Sequence, residues 1–418
     1  MVKAFIHRFF PKTQTTQPQS LSKSRDLITF VSIWGILRII TSIWVALVSS
    51  LAPLTALESS IRLWPPSSPW MEWLTRVIVS PWLRWDALWY VHIVSQGYQS
   101  GNGTTAFHPL YPWLATPLTW IGFNPGFSLL VVSSVCILLL LYFFKRLCEL
   151  DLSSEDSQNS VLLFFFFPLS FILFAPYTES LFLLCSVLCI YSARRRKWWM
   201  AGLMGALASL TRQQGVFLVI PMIWEFWEEN KHSIRSLVTQ WRKLVYIALC
   251  PGGLLFWIFY RWIILKDLKP DFTNFNSLVY SLFISSSQRE IVPAAKFVWP
   301  WQAMWNALGK AWQKPDVDIL TNLVFGFVFL LLCLLAWRKM CISYKLYTLV
   351  IILVSLSDQT GINHPYMGLP RHLFLAFPVF IGISAMVKRP WQRLLWSGIG
   401  LMGILFLLFQ YSLESWVP

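Results

Sequence analysis

Charge is scarce in this sequence, and negative charge is scarcest. Only 13% of the 418 residues are charged, with 19 Asp and Glu against 34 Lys and Arg. Hydrophobic residues make up 56% and there are 25 Trp. A soluble core cannot use that much apolar surface; in lipid, long apolar runs span. Cysteine offers no framework either. The seven are Cys136, Cys148, Cys185, Cys189, Cys250, Cys333 and Cys341. None falls in a long polar loop and none has metal-ligand spacing, so neither disulfides nor a metal site is expected. No internal repeat and no appended soluble domain are evident.

The formal net charge is +15. In a soluble protein that would point to nucleic acid. Here the basic residues sit in short clusters between apolar runs, with no RNA- or DNA-binding motif. They read as topology signals and contacts to membrane lipids, and no nucleic-acid partner is expected. Residues 1–26 are polar and basic without an apolar stretch, which fits a cytosolic tail rather than a cleaved signal peptide.

Apolar runs lie near 27–51, 126–144, 160–175, 177–193, 198–210, 215–226, 244–265, 319–337, 346–356, 372–387 and 391–411. Several fall short of the roughly 20 residues a bilayer asks for, as spans that line a cavity do. The segment 109–122 is apolar but short and carries Pro109, Pro112 and Pro117, so it reads as interfacial. With that segment left out of the count, every tight basic cluster falls on one side: Lys145–Arg146, Arg194–Arg195–Arg196–Lys197, 231–243, Arg338–Lys339–Lys345 and Lys388–Arg389–Arg393. The expected fold is therefore an all-α integral membrane bundle of about eleven spans forming one domain over 27–412. Its N-terminus is cytosolic, its first outer loop (52–122) carries interfacial helices, a late outer loop covers 266–318, and residues 413–418 form an outer tail.

Chemistry-bearing residues collect on the outer side. In Arg84-Trp85-Asp86-Ala87-Leu88-Trp89-Tyr90, the residues Trp82, Trp85, Trp89 and Ile93 recur at helical spacing, predicting a face that lies on the membrane surface. Asp86 beside that face reads equally as a general base for an acceptor hydroxyl or as a paired carboxylate, with Arg84 or a distant arginine as partner. His108 and Tyr111, in Ala106-Phe107-His108-Pro109-Leu110-Tyr111-Pro112, bring polar groups to the interface. They are candidates for a phosphate or a sugar hydroxyl, or an anchor and a helix start. Glu179, in Ala175-Pro176-Tyr177-Thr178-Glu179-Ser180, opens a helix where the dipole favours an anion; its other reading is an orienting carboxylate. Arg212 after Thr211, and Arg371 with His372 after Pro370, interrupt apolar runs. Each arginine suits a lipid phosphate or a snorkelling contact. Arg38, inside the first run, reads as structural. Asp267, Asp271, Asp316, Asp318 and Asp358 are scattered through the late loops and read as mostly solvated.

Taken in order, these motifs resemble the PIG-V family of mannosyltransferases. The matching features are Trp85-Asp86-Ala87 with Gly97-Tyr98, the segment around His108, the Pro176-Tyr177-Thr178-Glu179-Ser180 turn, Ala208-Ser209-Leu210-Thr211-Arg212 and Pro370-Arg371-His372. They run from about Arg84 to Phe380. The resemblance implies a GT-C fold with Asp86 in the catalytic position. It implies a polyprenyl- or dolichyl-phosphate sugar as donor, probed first as mannose, and a lipid-linked or glycan acceptor such as a glycosylphosphatidylinositol precursor. Inversion at the sugar carbon would follow, with no cofactor and no nucleotide sugar. The site would face the outside of a bacterial plasma membrane or the lumen of the endoplasmic reticulum. His108 stands where the family has an aromatic and His372 where it has Tyr, so the acceptor does not carry over. A transporter or lipid flippase and a non-catalytic scaffold are the competing classes. The first would call for a polar path through the midplane and often a repeat, and neither is evident; against the second stand Asp86, Arg212 and Arg371.

Overall fold

The computed structural model describes residues 19–51, 75–233, 239–274, 278, 281, 296–361 and 365–413. Most of the basic tail, the start of the first outer loop, much of the late loop and the outer C-terminal tail lie outside the described residues. The first helices are α1 (Gln19–Ser49), α2 (Asp86–Gln96), α3 (Leu110–Trp120), α4 (Pro125–Cys148) and α5 (Ser154–Phe165). Then come α6 (Glu179–Arg194), α7 (Trp198–Thr211), α8 (Val219–Glu229), α9 (Trp241–Phe259) and α10 (Pro300–Gln313). The last are α11 (Val317–Ala336), α12 (Ile342–Ser357), α13 (Leu369–Phe374), α14 (Val379–Ser384) and α15 (Pro390–Ser412). Two-residue strands, β1 (Lys296–Phe297) and β2 (Asp358–Gln359), pair antiparallel with Phe297 opposite Asp358.

Among the described residues, five helices are long and apolar enough to cross a membrane: Arg25–Ser49, Pro125–Cys148, Trp241–Ile264, Val317–Lys339 and Pro390–Ser412. The protein is an integral membrane protein with an all-α body. The long helices and the short ones have different surroundings. Only 28% to 50% of the apolar stretch of each long helix is buried, and residues such as Ile39, Ile43, Leu334 and Met402 are exposed on them. These faces suit lipid. In α6, by contrast, every residue except Tyr191 and Arg194 is buried.

The inner elements are short because they are broken, and the breaks carry the site. Pro168 starts a short 3-10 stretch, Pro168–Leu173, between α5 and α6. Another, Gln213–Leu218, separates α7 from α8, and Pro378 precedes α14. A broken helix in hydrocarbon strands its carbonyl groups, so breaks survive only where protein supplies donors. Here side chains do so. Arg38 donates to the Phe174 carbonyl at 2.6 Å and stacks over Trp82, which gives this arginine in the middle of α1 its structural role. Ser170 donates to Phe165 O, Trp396 to Leu163 O, Tyr347 to Leu375 O and Asn159 to Val387 O.

Close packing of α7 on α9 uses small residues, as membrane helices do in the absence of a hydrophobic drive between them. A Cβ at Gly202 would lie 2.0 Å from Tyr246 O, and one at Gly253 would lie 2.1 Å from Ala206 O. At the end of α6 remote from Glu179, the basic clusters meet carboxylates. Lys145 and Arg146 pair with Asp26 and Glu149, Arg194 with Asp151 and Glu225, and Arg393 with Glu155. Sixteen residues at about 1.5 Å per residue put this network some ~24 Å along α6 from Glu179.

Gly253→Ala tests the α7–α9 contact. Backbone cannot yield as a flexible side chain can, so a destabilisation of at least about 1–3 kcal/mol is expected. It should appear as a lower midpoint in a thermal-aggregation scan of detergent-solubilised protein, while Gly252→Ala, where a Cβ meets nothing within 4 Å, should leave the midpoint in place.

Candidate active site

Asp86 is placed by a sharp turn in the backbone. Trp82 ends a short 3-10 turn, Ser80–Trp82. Trp85 has a φ of 52°, a conformation that costs a non-glycine residue of order 1–3 kcal/mol and clusters at functional sites. Helix α2 then begins at Asp86, whose carboxylate sits at the positive end of the helix dipole. The turn also removes the expected membrane-facing stripe. Trp82 and Ile93 are buried in protein and Trp85 and Trp89 are half-buried, because the helical spacing is interrupted at Trp85. Apolar residues of α2 pack inward against α3 and α4.

Three further breaks converge on this carboxylate. Arg371, in the first turns of α13, donates from Nη1 to Asp86 Oδ2 at 2.9 Å. Its Nε lies 3.2 Å from Glu179 Oε1, near enough for an ion pair but not aligned as a hydrogen bond. Arg212, extended between α7 and the following 3-10 turn, donates to the same Glu179 oxygen at 2.6 Å and to Thr178 Oγ1 at 3.0 Å. Glu179 therefore stands between two guanidiniums, and Arg371 links it to Asp86. The side chain of Glu179 is 1% exposed, that of Arg212 12%, Arg371 18% and Asp86 26%. Openness rises from the buried carboxylate outward to Asp86.

A cavity of about 220 Å³ opens beside this chain of charges. Asp86, His108, Arg212, Arg371 and His372 all line it. Glu179 lies directly behind, holding the arginines. Two expected site residues fall elsewhere. Tyr111 is buried and donates to Leu129 O and exchanges a hydrogen bond with Ser133. Arg84 is buried and donates to Ser412 O at 3.2 Å, while its own carbonyl accepts from Tyr177. Both are framework residues: Arg84 and the Tyr411 bond to Trp82 O fasten the Asp86 turn to the end of α15. The pairing of Asp86 with Arg84 gives way to pairing with Arg371.

His108 is neutral. Burial pushes its ring down to about 3, and its Nδ1 lies 3.0 Å from the Ser209 carbonyl. A carbonyl only accepts, so the Nδ1 proton is assigned there and Nε2 remains as an acceptor. That chemistry suits a sugar hydroxyl and does not suit a phosphate.

Two late-loop carboxylates depart from their solvated expectation. Asp267 is buried, pairing with Arg261 at 3.1 Å and accepting from Thr105 at 2.6 Å. This ties the residues before His108 to the end of the α9 span. Asp358 lines the cavity itself, together with Gln213, Gln214 and Thr360. Its position at the end of the apolar run 346–356 was the available signal.

The sequence pattern of the mannosyltransferases of the PIG-V type matches residues 25–260, more than half of the chain. The chain belongs to the PIG-V mannosyltransferase family. Asp86, His108, Glu179 and Arg212 lie inside the matched region, whereas Asp358, Arg371 and His372 lie beyond it. A crystal structure of ArnT from Cupriavidus metallidurans bound to undecaprenyl phosphate is similar over 90% of this chain, with 10% identity and a TM-score of 0.44. The chain spans 63% of that protein's length, and a likeness so distant carries no argument about function. No curated protein sequence matches the chain.

Glu179→Gln should unbalance Arg212 and Arg371 together. Breaking a buried ion pair by removing one partner costs about 3–5 kcal/mol. The expected result is a lower thermal midpoint in detergent. An unchanged midpoint would show that the two arginines find other partners.

Proposed function

We propose that this PIG-V protein transfers a hexose, mannose on family grounds, from a polyprenyl- or dolichyl-phosphate sugar to a lipid-linked or glycan acceptor. Asp86 acts as general base and the reaction inverts the sugar carbon. The observation that supports this most directly is the cavity in which the partly open Asp86 carboxylate faces two guanidiniums held by one buried glutamate. A general base and a phosphate grip are the two parts such a transfer requires.

Arg212 and Arg371 take the donor phosphate, for which a guanidinium fork is suited. Arg371 now bonds Asp86, so an arriving phosphate competes with Asp86 for it. As Arg371 turns to the phosphate, Asp86 Oδ2 is released to accept from the acceptor hydroxyl. The acceptor oxygen then attacks the anomeric carbon while its proton passes to Asp86. The bond from that carbon to the phosphate oxygen breaks, and the lipid phosphate leaves with its charge on the arginines. Attack opposite the leaving group turns a β-linked donor into an α-glycoside. His108 Nε2 accepts a hydroxyl of one of the sugars.

The orientation follows from charge. Arg195, Arg196, Lys197, Arg338, Lys339, Lys388 and Arg389 are exposed, and the chain segments that carry them leave the bundle at the end remote from Asp86. By the excess of basic residues on cytoplasmic loops, that end is cytosolic and the cavity faces outward or to the lumen.

The test uses protein in nanodiscs with radiolabelled polyprenyl-phosphate mannose and a panel of lipid and glycoside acceptors. Asp86→Asn should lose at least about a hundredfold in kcat, the scale of a lost general base, with the donor KM little changed. Arg212→Lys should raise the donor KM about tenfold, since a charge-assisted bond contributes about 1.5–3 kcal/mol. Transfer by Asp86→Asn at the wild-type rate would remove Asp86 from the chemistry.

A further inference from the structure

Charges around the cavity balance without Asp358. Arg212 and Arg371 are matched by Asp86 and Glu179 through contacts of 2.6 to 3.2 Å. Asp358 is a further charged group on the cavity wall, and its side chain has no hydrogen bond or ion pair with any described residue. An unpaired, half-buried carboxylate is costly, so its retention on the cavity wall calls for a ligand. It is also held firmly. Asp358 follows α12 directly, its backbone pairs with Phe297 across the two-stranded ladder, and the neighbouring Val298 N–H bonds Ser357 O at 3.0 Å. A carboxylate on a fixed backbone, facing a cavity, is a preorganised acceptor.

Its surroundings choose the ligand. The phosphate belongs to the arginines, and a carboxylate repels it. The same cavity wall also carries Gln213, Gln214 and Thr360, neutral hydrogen-bonding side chains of the kind that read hydroxyls. We propose that Asp358 is the acceptor-binding carboxylate: it receives a hydroxyl of the accepting sugar and so orients that sugar toward Asp86. The assignment rests on the transferase reading, but it concerns binding and is measurable without turnover.

The other titratable and charged groups lining the same cavity are Asp86, Tyr90, His108, Arg212, Arg371 and His372. Burial pushes the Asp358 carboxyl up to about 6, with Arg212 pulling in the other direction. The ionised form, the better acceptor, is present above that pH and is lost as pH falls through it. Acceptor binding should therefore weaken below about pH 6.

Binding of octyl α-mannoside to the full chain in nanodiscs, measured calorimetrically against empty nanodiscs, decides the matter. Asp358→Asn keeps size and shape and should raise the dissociation constant at least tenfold at pH 7.5, with Asp358→Glu recovering part of the loss. Wild-type binding should weaken between pH 7 and pH 5 while that of Asp358→Asn stays flat. The pH series on wild type needs no variant to fold. Equal binding by wild type and Asp358→Asn, a flat wild-type profile, or no binding of the mannoside by wild type overturns the assignment. Failure of sugar transfer in the radiolabel assay with Asp358-dependent binding intact would instead count against the transferase mechanism.

Discussion

Glu179 has two guanidiniums to satisfy and almost no water to help it. Its side chain is 1% exposed, so its charge and those of Arg212 and Arg371 must answer one another inside the protein. Each comes from a separate break: the start of α6, the extended residue after α7, and the short α13. Asp86 comes from a fourth, the strained turn at Trp85. A buried ion pair of this kind is poor evidence for net stability, because desolvation offsets the attraction. What it does supply is position. If any of the four breaks shifted, a charge would be left alone in a low-dielectric interior, so the arrangement of the broken helices and the geometry of the cavity are one constraint.

That constraint explains why two kinds of helix coexist. Long helices with half or less of their apolar stretch buried can face lipid because every backbone group is satisfied within the helix. The inner elements cannot be long, since they must end where the site needs a side chain. Their stranded carbonyls are met by Arg38, Ser170, Trp396, Tyr347 and Asn159. The framework role of Arg38 follows from this: a chain interrupted within the membrane needs donors from other helices.

The parts of the site that could be read from the sequence were those where a charge interrupts apolar runs. Asp86, Glu179, Arg212 and Arg371 are conspicuous because an ionised group in such a setting is costly without a partner, and the structure supplies the partners. Arg84 and Tyr111 were equally conspicuous but bond to backbone carbonyls or to a serine, and no side-chain pattern announces that. Asp267 and Asp358 failed in the opposite sense. A loop carboxylate looks solvated until distant chain covers it: Thr105 reaches Asp267 across 162 positions, and β1 pairs with β2 across the three helices α10, α11 and α12. The tryptophan stripe misled because periodicity presumes one continuous helix, and a single positive φ at Trp85 ends it. For the fold, composition and apolar runs suffice for an all-α membrane bundle. Helix breaks within the runs are set by tertiary contacts and stay hidden.

On the proposed mechanism, the charge balance of the cavity also gives the order of events a physical basis. With Asp86 bonded to Arg371, the two arginines and two carboxylates are matched. A donor phosphate brings one more negative charge, and the guanidinium best able to meet it is Arg371, the more exposed of the two, at 18% against 12% for Arg212. Glu179 does not let go of either arginine in this exchange, so Arg371 stays charged and aimed at the cavity while its outer partner changes. Asp86 is the carboxylate that loses a bond, and it is also the one open enough to receive a hydroxyl. A base held by an arginine until the donor arrives would be protected from engaging the acceptor alone, and the glutamate behind it is what keeps that exchange from collapsing the site.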